Sequence, residues 1–111
     1  MAYDEKLAER IRTLLADEPA LAEKTMFGGL AFLVDGNMAV AASGQGGLLV
    51  RVDPEESAAL VAETPAEVAV MRGRPMPGWL RLDSQDLAGE DALSAWVARG
   101  AAFARSLPAK R

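Results

Sequence analysis

The most constraining feature of the chain is a pair of apolar runs broken by one turn. Leu30-Ala31-Phe32-Leu33-Val34 meets Asp35-Gly36-Asn37, and Met38-Ala39-Val40-Ala41-Ala42 follows at once. Asp-Gly between two apolar runs is a strong hairpin signal, because a type I′ turn needs positive φ at both central residues. Ser43-Gly44-Gln45-Gly46-Gly47 is the next turn and leads into Leu48-Leu49-Val50-Arg51-Val52. These runs predict a three-stranded meander within a strand-rich stretch from Thr25 to Val52. Gly28-Gly29 before the first run predicts a bulge or a close approach of two backbones.

Helical periodicity flanks the meander. Tyr3, Leu7, Ile11, Leu14 and Leu15 recur at helical spacing, and Glu5, Lys6, Glu9, Arg10 and Arg12 fill the other face. Asp4 is the expected N-cap, and Pro19 should lie at or past the helix end. Asp53-Pro54-Glu55-Glu56 opens a second, short helix, with Asp53 as cap, Pro54 in the first turn and Glu56 placed for a capping box. Val68–Met71 and Trp79–Leu82 read as two more strands. The segment Arg72-Gly73-Arg74-Pro75-Met76-Pro77-Gly78 between them is too rich in Pro and Gly to continue either. A last helix is expected over 90–107, with Leu93, Trp96, Val97, Gly100, Phe103, Ala104 and Leu107 in one stripe. Gly100 in mid-stripe predicts close packing against another backbone.

The order is α-β-β-β-α-β-β-α, an α+β fold with a five-stranded, mainly antiparallel sheet. Three helices cannot cover both faces of such a sheet, so they are expected mostly on one face, with the other partly open. The 111 residues suit one domain, residues 1–111, with an ordered core over about 3–107 and a frayed tail at Ala109-Lys110-Arg111.

Composition restricts the chemistry. The chain has neither Cys nor His. Disulfides, thiolate nucleophiles, Cys-based metal sites and a Ser-His-Asp triad are therefore excluded, together with the commonest general base and metal ligand. Folding without metal or cofactor is expected, and so is a non-enzymatic role. The carboxylate pairs Asp17-Glu18, Glu55-Glu56 and Glu90-Asp91 fall at predicted helix ends, where they favour the dipole or face water. The N-terminus has no basic region followed by an apolar one, as a signal peptide would. No run approaches the roughly 20 apolar residues of a membrane helix. A cytoplasmic protein with no membrane partner is the expectation.

Several separated motifs carry a family resemblance. Met26-Phe27-Gly28-Gly29-Leu30-Ala31-Phe32, Gly36-Asn37-Met38-Ala39, Gly47–Val52, Met71–Leu80 and the late helix with Trp96 and Ala101-Ala102-Phe103-Ala104 resemble the N-terminal domain of TfoX/Sxy proteins. The resemblance runs from about Leu7 to Leu107. It implies an α-β(3)-α-β(2)-α domain similar to secretion-chaperone-like folds. Two-domain TfoX/Sxy proteins regulate natural competence as co-activators working with a cyclic-AMP-responsive transcription factor. A chain ending at Arg111 is expected to be a stand-alone domain without their C-terminal one. The resemblance carries over no catalytic residues.

Charge placement gives the candidate site. The net charge of −4 divides into −7 over residues 1–67 and +3 over 68–111. In the second part Arg72, Arg74 and Arg81 surround Trp79, and Met76 lies between them in sequence. Arg and Trp dominate interface hot spots, and Arg binds carboxylate or phosphate with two parallel bonds. Arg72, Arg74, Met76, Trp79 and Arg81 are therefore the candidate partner-binding residues. The bland alternative is a core tryptophan with a solvated arginine rim. Met26, Met38, Met71 and Met76 read as gap-filling core, although an exposed group of methionines would make an adaptable binding surface. Arg72-Gly73-Arg74-Pro75 also spells the core of an AT-hook, which inserts into A·T-rich minor grooves. Pinned between two strands, it favours that role less. The leading expectation is a protein-interaction or regulatory module with a protein partner, drawn from the transcription machinery if the resemblance extends to function. It is expected to form a homodimer through its sheet or its last helix. A nucleic-acid-binding domain using the Arg72–Pro75 loop is the alternative, and a small-molecule-binding enzyme comes third.

Overall fold

The first helix begins where the sequence places its cap. The computed structural model describes residues 3–26 and 28–109. Met1, Ala2, Phe27 and the tail residues Lys110 and Arg111 lie outside the described residues. The Asp4 carboxylate accepts from the backbone N–H groups of Lys6 and Leu7 at 3.0 and 3.2 Å, opening α1 over Glu5–Leu14. Leu7, Ala8 and Ile11 are its buried stripe.

The strands are β1 (Leu21–Met26), β2 (Gly29–Val34), β3 (Asn37–Ala42), β4 (Leu48–Arg51), β5 (Glu67–Met71) and β6 (Arg74–Leu82). They form one sheet of order β1-β2-β3-β4-β6-β5 with every pairing antiparallel. The sheet thus has six strands, where the sequence suggested five. The additional strand is β1, an edge strand whose four central residues are all exposed, so it has no buried face to give it period-two patterning.

Two hairpins turn on the residues that tolerate positive φ. Asp35 and Gly36 have φ of 53° and 81°, and Arg72 and Gly73 have φ of 52° and 77°. Both are consistent with the two-residue I′ geometry. The second hairpin corrects the expected loop over Arg72–Gly78, since Arg74–Gly78 already belong to β6. Proline is tolerated at irregular positions of a sheet, and this stretch is irregular. Val68 pairs with Leu80 while Val70 pairs with Pro75, so Ala69 alone faces the four residues Met76 to Trp79. The bulge turns Gly78 inward, where its carbonyl accepts from Val52 N–H at 2.8 Å.

Asp53 caps a 3₁₀ turn over Pro54–Glu56, its side chain accepting from Glu55 N–H, and α2 follows over Ser57–Glu63. No capping box forms with Glu56, whose carboxylate instead pairs with Arg99 at 3.4 Å. The last helix, α3, spans Glu90–Ser106 and buries Leu93, Trp96, Val97, Gly100, Ala101 and Ala104. Phe103, expected in that stripe, is only half-buried.

Alternation sorts the two sheet faces. Leu30, Phe32, Val34, Val40, Ala42, Leu48, Val50, Leu80 and Leu82 share one buried cluster with the stripes of α1 and α3. Leu60 and Val61 of α2 and Val68 of β5 pack against that cluster. A register shift between Phe32 and Leu33 leaves Ala39 as the extra residue of β3, so Ala39 and Val40 both join the core while Met38 turns to the opposite face. All three helices therefore lie on one face, as expected. Among the described residues no helix is long and apolar enough to cross a membrane.

Candidate interaction cleft

The uncovered face of the sheet is concave and holds a cleft of about 420 Å³. A volume near this is ordinary for a binding pocket, which runs from about 300 to 1,000 Å³. Strand alternation builds its floor from Ala31, Ala41, Leu49 and Ala69, the residues that point away from the helices. Small floor residues leave room for larger side chains around them. Met26, Met38, Met71 and Met76 ring the floor with Trp79. The four methionines thus lie together on the open face, where the sequence suggested gap-filling core. They come from β1, β3, β5 and β6, and only the topology brings them together.

The charged residues lining the cleft are Arg72 and Arg81; Glu67 is the cross-strand neighbour of Arg81 but neither lines the cleft nor forms an ion pair with it. Arg81 donates from Nη1 to Gln45 Oε1 at 2.9 Å and from Nη2 to the Gly46 carbonyl at 3.1 Å. Both acceptors are neutral, so these bonds orient the guanidinium without an ion pair. It retains donors for a guest, since a guanidinium carries five N–H groups. The glycine-rich stretch around Gln45 is the turn the sequence suggested. Its backbone closes through Ser43, whose carbonyl accepts from Gly46 N–H and whose Oγ accepts from Gln45 N–H.

The arginines divide by whether they have a carboxylate partner. Arg10, Arg12, Arg99 and Arg105 each pair with a carboxylate, those of Glu90, Glu23, Glu56 and Glu18 respectively. One member of each carboxylate pair noted in the sequence is consumed this way. Arg51, Arg72, Arg74 and Arg81 have no such partner among the described residues. Two of these four, Arg72 and Arg81, line the open face.

Of the five candidate residues, the structure brings Arg72, Met76, Trp79 and Arg81 to the cleft. Arg74 follows the turn in β6 and is exposed, but does not line the cleft. The arginine over Trp79 is one the sequence reading missed. Arg51 is the cross-strand neighbour of Trp79, and its guanidinium lies 5.2 Å from the Trp79 ring and 5.7 Å from that of Phe103. Arg51 alternates with Leu49, which could have placed both on one face, but its pairing with Trp79 depends on β4 meeting β6.

Residues 13–104 match the family model of the TfoX N-terminal domain. The chain belongs to that family. No curated protein is significantly similar to the chain. For the TfoX N-terminal domain seen here, the family boundaries take in every strand, all of α2 and most of α3, and so the whole lining of the cleft.

Proposed function

We propose that this TfoX N-terminal domain is a non-enzymatic protein-interaction module that receives a partner on the open face of its sheet. The observation that carries this reading is the cleft itself, an apolar concavity of methionines and Trp79 whose charged lining residues are arginines that form no ion pair among the described residues. Flexible thioethers adapt to varied side chains, and Trp and Arg are the residue types most often dominant in binding energy. A non-catalytic role is in keeping with a cleft lining that contains no histidine, cysteine or carboxylate to serve as a general acid or base. The setting we propose is regulatory and cytoplasmic, in keeping with the two-domain TfoX/Sxy competence co-activators whose N-terminal domain this chain resembles. A secretion-chaperone-like architecture belongs to the same reading, since it would present one sheet face to a client.

The test is affinity capture from native lysate at physiological salt on three immobilised proteins. They are the wild type, Trp79→Ala combined with Arg81→Gln, and the control Ala98→Lys on the exposed side of α3. A partner held by wild type and control, and reduced at least tenfold on the cleft variant, is the expected result. Capture indifferent to the cleft variant would overturn the reading. The Arg72-Gly73-Arg74-Pro75 stretch motivates the nucleic-acid alternative, although here it forms a hairpin turn and a strand start rather than a flexible arm. Tight binding of an A·T-rich duplex over a G·C-rich one at physiological salt, read by anisotropy, would favour that alternative.

A further inference from the structure

We infer that the partner enters this face as a strand added to the edge of β5, and that it is an extended segment carrying acidic residues. The inference rests on the interaction-module reading and specifies how such a module would grip its partner.

The two edges of the sheet differ in kind. At β1 the edge carries Glu23 and Lys24, and Glu23 is clamped by Arg12 from α1 through two bonds of 2.7 and 2.9 Å. Charged side chains on an edge discourage pairing with another chain. At β5 the one charge lies at the first residue, Glu67, and the run Val68-Ala69-Val70-Met71 that follows is apolar. Its Val70 is 61% exposed and Met71 37% exposed, and these are the exposed large hydrophobic residues of the described chain. β5 pairs only with β6, and no described backbone or side-chain hydrogen bond from outside the sheet reaches it. Its outer N–H and C=O groups are therefore free to bond an added strand.

The same strand walls the cleft, since Ala69, Val70 and Met71 line it. In strand addition, main-chain bonds supply affinity and pockets for alternate side chains supply specificity. A guest strand about 4.8 Å beyond β5 would direct alternate side chains toward the methionine-rich cavity. Charge then sets its polarity. Arg72 and Arg74 stand at one end of β5, both without a carboxylate partner, and the exposed Glu67 stands at the other. A guest running antiparallel, as every neighbour in this sheet does, would carry its acidic residues toward its own N-terminal end.

The experiment uses the full chain and a capped octapeptide, its first half alternating Glu with Leu and its second half Thr with Val. Two analogues accompany it, one with Lys for Glu and one N-methylated at alternate backbone amides. Affinity is read by anisotropy, and amide hydrogen exchange is followed by NMR. The expected result is slower exchange at the outward amides of β5 but not of β1, with binding at least tenfold weaker for each analogue. Val70→Lys, at a position exposed enough to leave the fold intact, should weaken binding by a similar factor. Unchanged exchange at β5 with the peptide at about 1 mM, or equal binding of the N-methylated analogue, would overturn strand addition. The interaction-module reading would survive either result if capture still depended on Trp79 and Arg81. Protection of β5 that rises with protein concentration alone, with a doubled mass in light scattering, would make the occupant a second copy and overturn the acidic-segment inference.

Discussion

A methyl group at position 100 would sit 2.5 Å from the Ala39 carbonyl oxygen and 2.8 Å from Val40 Cγ1. Two effects oppose each other in Gly100→Ala. Helix propensity favours alanine by about 1 kcal/mol. The obstructing oxygen belongs to strand backbone inside the core, which cannot swing aside as a side-chain tip can, and overpacking costs about 1–3 kcal/mol. The clash wins, and Gly100→Ala is expected to lower stability by about 1–2 kcal/mol in urea unfolding. A raised midpoint would mean that α3 stands off from β3. The glycine's role was legible in the sequence because it interrupts an otherwise apolar stripe. Arg51 was not, because its significance comes from a ring on β6 that lies 28 residues away in the chain.

At the scale of elements, α1 is tied to the edge strand β1 by Arg12 and Glu23. The Glu23 carboxyl is held below its ordinary value of 4.5 chiefly by the hydrogen bond from Arg12, which outweighs the opposing effect of burial, with a lesser contribution from the Arg12 charge. A carboxylate with a depressed folded-state pKa contributes stability that is complete above its unfolded value and disappears as pH falls through the folded one. The stability difference between wild type and Glu23→Gln should therefore be constant near neutrality and shrink below about pH 4.5. Urea midpoints across pH would show it, and molar salt should shrink it at pH 7 because the pair is exposed. A difference that grew on acidification would contradict the pairing. β1 itself escaped the sequence reading because its residues are chosen for an exposed edge, where alternation has no buried face to mark it. β6 was cut short because Pro75 and Pro77 are strand breakers in a regular ladder, and the bulge opposite Ala69 makes this ladder irregular. The Asp-Gly hairpin, the Asp4 cap and the span of α3 depend on local chemistry alone, and so they could be read directly.

For the molecule as a whole, placing all the helices on one face makes adjacent residues of a central strand energetically unequal. Leu48 and Leu49 differ by one position in β4, yet Leu48 is 0% exposed beneath the helices and Leu49 lies half-buried on the floor of the open cleft. Leu48→Ala would leave a cavity among Phe32, Val50, Leu80 and Leu82 or their neighbours in the same cluster, at a cost of about 2–5 kcal/mol. Leu49→Ala removes side-chain volume from a face that no described helix covers, so water can occupy the space, and about 1 kcal/mol is expected. Urea unfolding of both variants at two protein concentrations separates the possible arrangements. A large cost at position 48, a small one at 49 and no dependence on concentration correspond to an open face awaiting a different protein. Equal costs, with the penalty at 49 present only at high concentration, would mean that a second copy already covers the cleft and contributes to the fold. The first outcome is expected, because the arginines lining the cleft form no ion pair among the described residues and a copy presenting the same cleft would be repelled, which leaves the last helix as the surface for the proposed homodimer.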